Sequence, residues 1–185
     1  MARQTRLALL VPPDRIRAVR DLPTVFQSRE DFERSCRKAN VPEPREGNQT
    51  VGFSEGTSKP AHVDADNPQW RKTIIHERLH QLSDPATERR LGQKLAEGIT
   101  EDLAIKELGN AWNPDLPRSY SEERALAHRV RELCGDGPVD RAYLQGDVDE
   151  LRSCLDRRLR DGSLDKLKNM ADTSDSPEFS EDARD

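Results

Sequence analysis

The chain has 185 residues, 30 of them basic and 35 acidic, which gives a net charge of −5. This balance lacks the clustered positive charge of a nucleic-acid-binding surface, so we expect no nucleic-acid partner. No run approaches the ~20 apolar residues that span a bilayer, and the short apolar stretch near the N-terminus does not match a signal peptide, so we expect a cytoplasmic protein with no membrane partner.

Prolines interrupt the first part of the chain repeatedly. We interpret residues 1–50 as a Pro-rich N-terminal segment with short helices, the best of them at 28–38. Two brief extended segments at 51–53 and 61–63 flank a turn that contains Gly56. This order predicts a small β-hairpin.

Helical spacing of apolar residues dominates the remainder of the chain. It predicts a helix at 68–83, which Asn67 would cap. Further helices are predicted at 91–109, 121–133, 139–144, 148–159 and 163–170. Residues 171–185 hold six acidic residues and almost no apolar ones, which predicts a disordered tail.

These elements together predict a mainly helical α+β fold with a short hairpin before the helix at 68–83. Residues 51–170 would form the main domain. Its two parts would be residues 51–110 and the helical residues 111–170.

The chain has three cysteines, Cys36, Cys134 and Cys154. Because they are odd in number and widely spaced, we expect reduced thiols, as in cytoplasmic proteins, and no disulfide framework.

The predicted helix at 68–83 contains His76-Glu77-Arg78-Leu79-His80, an H-E-x-x-H pattern. Histidines four residues apart share one helix face, so both imidazoles can bind one metal ion at ~2.0–2.1 Å. Glu77 projects beside that ion, where a carboxylate can take a proton from metal-activated water. The pattern therefore predicts a catalytic metal site.

A third ligand has to come from elsewhere, and the next predicted helix offers Glu97 and Glu101, four residues apart. One carboxylate can bind the metal, and the other can accept the N–H of a ligand histidine. Spacing alone leaves the choice between them open. Gly98 would let this helix approach the first one closely.

His76-Glu77-x-x-His80 followed by Leu95-Ala96-Glu97-Gly98 resembles the gluzincin metallopeptidases. The wider layout is similar to small bacterial metallopeptidase domains, including those of polymorphic toxins. The resemblance implies a minimal zincin-like domain that holds one Zn²⁺ per chain through His76, His80 and Glu97. It also implies that Glu101 supports a ligand histidine, although Ala96 stands where the family usually has asparagine.

The function that we expect is hydrolysis of a peptide bond in a specific protein substrate by a zinc-dependent endopeptidase. Glu77 would act as the general base, and Tyr120 would donate to the developing oxyanion. Residues Ala61, His62 and Val63 would form the edge strand on which the substrate lies.

Two alternatives remain open at this stage. The domain could be a catalytically silent metal-binding regulatory or protein-interaction module. Arg78 and the highly charged surface would then suit an inhibitory partner protein. A metal-dependent hydrolase acting on a non-peptide amide is the other alternative.

Overall fold

The computed structural model describes residues 7–41, 50–111 and 120–173. Within them, helices predominate and three short strands form one sheet, so the predicted mainly helical α+β fold is confirmed. In chain order the elements are α1 (Leu7–Leu10), α2 (Pro13–Arg20), β1 (Thr24–Gln27), α3 (Arg29–Ala39), β2 (Gly52–Ser54), β3 (Ala61–Asp64), α4 (Trp70–Leu82), α5 (Thr87–Leu91), α6 (Gln93–Leu108), a 3-10 turn (Gly109–Ala111), α7 (Ser121–Cys134), α8 (Asp136–Gln145), α9 (Asp149–Arg158) and α10 (Ser163–Thr173). No helix in these ranges is both long and apolar enough to cross a membrane.

The chain divides into two compact units. The first comprises Met1–Ser83 and Thr100–Ser119, and the second comprises Asp84–Ile99 and Tyr120–Asp185. The sequence suggested divisions at residues 50 and 110 instead. The predicted division at residue 50 is not observed, because the N-terminal segment contributes strand β1 to the sheet of the first unit.

The sheet of the first unit has β3 at its centre, in the order β1-β3-β2. β2 pairs with β3 in antiparallel fashion, which confirms the predicted hairpin. β1 pairs with β3 in parallel, with Thr24 opposite Ala61. Strand β1 was not predicted, because it has only four residues and its partner lies far along the chain.

Helices cover both faces of this sheet. Phe53 and His62 are cross-strand partners on the face toward α3, where Phe53 packs with the buried Phe32 and Cys36. Because side chains alternate along a strand, Gly52 and its partner in β3 lie on the opposite face, against α4.

Helix α4 runs over Trp70–Leu82 and begins two residues later than predicted. Asn67 explains the delay, because its side-chain oxygen accepts a hydrogen bond from the backbone N–H of Gln69 at 2.9 Å and holds a turn before the helix. The helix then buries Leu79 and Leu82 and ends at Ser83, whose backbone is extended.

The second unit is helical, and α6 to α10 match the predicted helices, whereas α5 was not predicted. Helices α7, α8 and α9 pack against one another, α5 packs on α8, and α10 packs on α9. Helix α10 reaches Thr173, so the start of the predicted disordered tail is helical in backbone. Residues 174–185 of that predicted tail lie outside the described residues.

The expectation of three reduced thiols is wrong for two of them, because Cys134 and Cys154 form a disulfide. The packing of α7 against α9 brings the two Cα atoms to 5.7 Å, within the range that a disulfide spans. Spacing along the chain does not reveal this approach. Cys36 is buried and is not part of this disulfide.

Gly98 is a position of close approach, as expected, but its partner is α7. A Cβ atom on Gly98 would lie 1.9 Å from the carbonyl oxygen of Glu123 and 3.0 Å from the backbone nitrogen of Arg124. The expectation that Gly98 brings α6 toward the helix at 68–83 is therefore replaced by a contact within the second unit.

Candidate metal centre

Two histidines on α4 face each other through the nitrogens that would bind a metal. The Nε2 atoms of His76 and His80 are 3.1 Å apart, because the residues lie one helical turn apart on the same face. Two nitrogens bound to one ion at ~2.0–2.1 Å with a tetrahedral angle are about 3.4 Å apart. The observed spacing therefore fits a shared ion with little adjustment.

Glu97 on α6 completes a group of three possible ligands. One ligand atom from each of His76, His80 and Glu97 lies within 4.8 Å of the others. His76 is buried, while His80 and Glu97 are half-buried. This donor set, two imidazoles and one carboxylate, could hold a metal ion.

Glu101, one turn further along α6, contacts the other nitrogen of His76. Its Oε2 atom lies 3.2 Å from His76 Nδ1, and its Oε1 atom lies 2.7 Å from the Nζ of Lys72. Because a carboxylate only accepts, the hydrogen bond requires His76 to carry its proton on Nδ1, which leaves the Nε2 lone pair for a metal. The group of side chains that could hold a metal ion therefore contains Glu97 and not Glu101.

The charge state of Glu101 follows from its surroundings. Burial is the largest influence and acts to raise the pKa of Glu101. Hydrogen bonds from His76 and Lys72, together with the electrostatic influence of both groups, outweigh burial, so the pKa of Glu101 lies below its usual value. Glu101 therefore remains an ionised acceptor at neutral pH.

Glu77 lies next to the histidines in the sequence and is 7% exposed. Strand β2 passes close to it, since a Cβ atom on Gly52 would lie 3.3 Å from Glu77 Oε1 and 2.3 Å from Thr73 Cγ2. Only glycine lets the backbone of β2 come this near to α4. Gly52 is a residue of the site that the sequence analysis did not identify.

The predicted edge strand at Ala61, His62 and Val63 is wrong, because β3 is paired on both sides. Ala61 and Val63 are fully buried. His62 faces α3, where its ring stacks on Phe53 and its Nδ1 lies 3.1 Å from Gln27 Oε1. The backbone of β3 therefore has no free edge on which a substrate could pair.

Arg78 follows Glu77 and is tied to the N-terminal segment. Its guanidinium donates to the carbonyl of Leu22 at 2.5 Å, to Thr24 Oγ1 at 2.9 Å and to Gln81 Oε1 at 2.8 Å. Burial lowers the pKa of Arg78. This side chain fixes α4 to the start of β1. Its expected role toward an inhibitory partner stays a prediction.

Tyr120 lies at the start of α7, with 40% of its surface exposed and a left-handed backbone at φ 55°. That conformation is uncommon for a residue with a bulky side chain. Its expected role as an oxyanion donor stays a prediction.

Lys72 also escaped the sequence analysis, although it precedes His76 by four residues and so shares its helix face. The only sequence feature that could have pointed to Lys72 is its position one helical turn before His76. Its burial against Glu101 depends on tertiary packing, which the sequence pattern does not reveal.

No protein-family model matches the chain, and neither a curated protein nor a solved structure matches it.

Proposed function

We propose that the protein is a zinc-dependent endopeptidase whose metal is held by His76, His80 and Glu97. The observation that carries the proposal is the convergence of these three side chains with a buried Glu77 on the same helix as the histidines. Two histidines and one carboxylate are the protein ligands of several zinc peptidases, and they leave a coordination position open.

Zinc, when bound, would polarise the carbonyl of the substrate and lower the pKa of water toward ~7. Glu77 would accept a proton from the attacking water and deliver it to the leaving amine. Glu101 would hold His76 with Nδ1 protonated, and Tyr120 would donate to the oxyanion.

Strand β2 is the better candidate for substrate binding now that β3 is excluded. The backbone N–H of Asp64 donates to the carbonyl of Val51 at 3.0 Å, which makes these residues a hydrogen-bonded pair. Because such pairs alternate along an antiparallel ladder, the N–H and C=O of Gly52 point away from β3. An extended peptide could pair with them beside Glu77.

Substitution of Glu77 tests the proposed chemistry. Glu77→Gln should retain zinc but cleave a peptide library at least 100-fold more slowly, because general acid–base catalysis typically contributes that much. Glu97→Ala should bind zinc more weakly. New peptide termini, measured by mass spectrometry, and zinc affinity report the two effects.

Glu88→Gln provides a matched control, since Glu88 is an exposed glutamate on α5 and should change neither property. Zinc-loaded wild-type protein that cleaves nothing, or a Glu77→Gln variant as active as wild type, would refute the peptidase. The first of these results would favour the silent binding module instead.

A further inference from the structure

A buried ion pair joins α4 to α6 directly behind the candidate metal centre. Lys72 is 4% exposed and Glu101 is 1% exposed, and their charged atoms are 2.7 Å apart. Removing two charges from water is unfavourable unless both are well paired. Such a pair is weak evidence for stability, so a role beyond stabilising the fold has to be considered.

The two carboxylate oxygens of Glu101 have different partners. Lys72 Nζ donates to Oε1, and His76 Nδ1 donates to Oε2 at 3.2 Å. With an oxygen held at each end, the carboxylate plane cannot turn without breaking one of the contacts. The orientation of the His76 ring, whose Nε2 lies 3.1 Å from that of His80, therefore depends on the position of the Lys72 ammonium.

We propose that Lys72 is a positioning residue of the metal centre that acts through Glu101 to orient His76. This inference rests on the proposed metal site. It assigns Lys72, which the H-E-x-x-H pattern does not include, to the set of residues that determine metal affinity.

If the proposal is right, a suitable pair of substitutions should restore the stability of the fold without restoring its affinity for zinc. Lys72→Met leaves the Glu101 carboxylate buried without its cation, so both quantities should fall, with zinc affinity reduced by about tenfold, the lower end for residues that support a ligand. Glu101→Gln should reduce zinc affinity by at least as much. The double variant, Lys72→Met with Glu101→Gln, removes both charges of this ion pair and should regain stability.

The double variant should nevertheless bind zinc no better and no worse than Glu101→Gln alone, because the proposal has Lys72 act through the Glu101 carboxylate. Zinc affinity is measured by competition with a chelator, and stability by urea unfolding of the metal-free protein. Lys106→Met is the matched control: it removes one positive charge from a pair with Asp102 on α6 and should change zinc affinity by less than twofold.

A double variant whose zinc affinity recovers along with its stability would show that the pair only supports the fold, and would overturn the inference. A folded Lys72→Met variant with wild-type affinity would overturn it as well. If Lys72→Met does not fold, the double variant is compared with Glu101→Gln alone. Equal zinc affinities would support the inference. A double variant that binds zinc tenfold more weakly would show that Lys72 acts on the site by a route other than Glu101, and would overturn the inference. Wild-type protein that binds no zinc would instead overturn the proposed metal centre itself.

Discussion

Alanine at position 98 would test how closely α6 and α7 must approach beside a candidate ligand. Gly98 follows Glu97 directly, and an added Cβ atom would lie 1.9 Å from the carbonyl oxygen and 2.4 Å from the carbonyl carbon of Glu123. Both obstacles are backbone atoms of α7, so no side-chain rotation relieves the overlap. A normal contact distance is ~3.5 Å, so the two helices have to separate by more than about 1 Å to accommodate the added atom.

The size of the effect follows from two opposing terms. Alanine inside a helix is favoured over glycine by about 1 kcal/mol. Overpacking in a tight interior is unfavourable by about 1–3 kcal/mol, and a clash with backbone belongs at the upper end. The Gly98→Ala variant should therefore lose about 2 kcal/mol of unfolding free energy and melt roughly 4–8 °C lower.

Urea unfolding and thermal melting measure this loss, and Gly137→Ala is the matched control. Gly137 is also helical, but an added Cβ atom would meet only Arg141, at 3.5 Å. Its stability should stay within about 1 kcal/mol of wild type. A Gly98→Ala variant as stable as wild type, or more stable, would refute the packing argument. Zinc affinity should fall together with stability, because α6 carries Glu97.

Two further predictions concern the second unit and the sheet. Cys134→Ser should lower the free energy of unfolding by about 3 kcal/mol, the entropic contribution of closing a loop with a sequence separation of 20. The substitution should also abolish the effect of reductant on urea unfolding. A variant as stable as the wild type would contradict the disulfide. Burial lowers the pKa of His62, and the negative charge of Glu55 opposes this effect only in part. His62 therefore binds a proton more readily in the unfolded chain than in the folded protein. As a result, the free energy of unfolding falls as the pH drops below about 6.5. His62→Phe, which keeps a ring beside Phe53, should make this fall shallower between about pH 6.5 and the lower folded pKa, and identical slopes would contradict the argument.

Local patterns account for what the sequence analysis could predict. The helical spacing of apolar residues predicted most helices of the second unit, and the four-residue spacing of His76 and His80 placed both Nε2 atoms on one face of α4. These features depend on residues within one or two turns of each other. The choice of Glu97 over Glu101 came from the resemblance to the metallopeptidases, because both residues lie on the same face of α6 and their spacing does not distinguish them.

Features that depend on distant parts of the chain were missed. The central position of β3 requires β1, whose four residues carry no distinctive pattern. The disulfide requires α7 and α9 to pack, and the burial of Lys72 requires α4 and α6 to meet. A lysine in a helical sequence is ordinarily interpreted as exposed, so burial of this one was not predicted.

The parallel pairing of β1 with β3 also has a consequence for how the chain folds. A tight turn cannot start a parallel ladder, so the loop between the strands has to close before their hydrogen bonds form. Pairing between distant segments is slow compared with helix formation. We therefore expect α4 to form as a helix before the sheet beneath it is complete. The two histidines would then lie on an unsupported helix early in folding, and the proposed metal centre would be completed only late in folding.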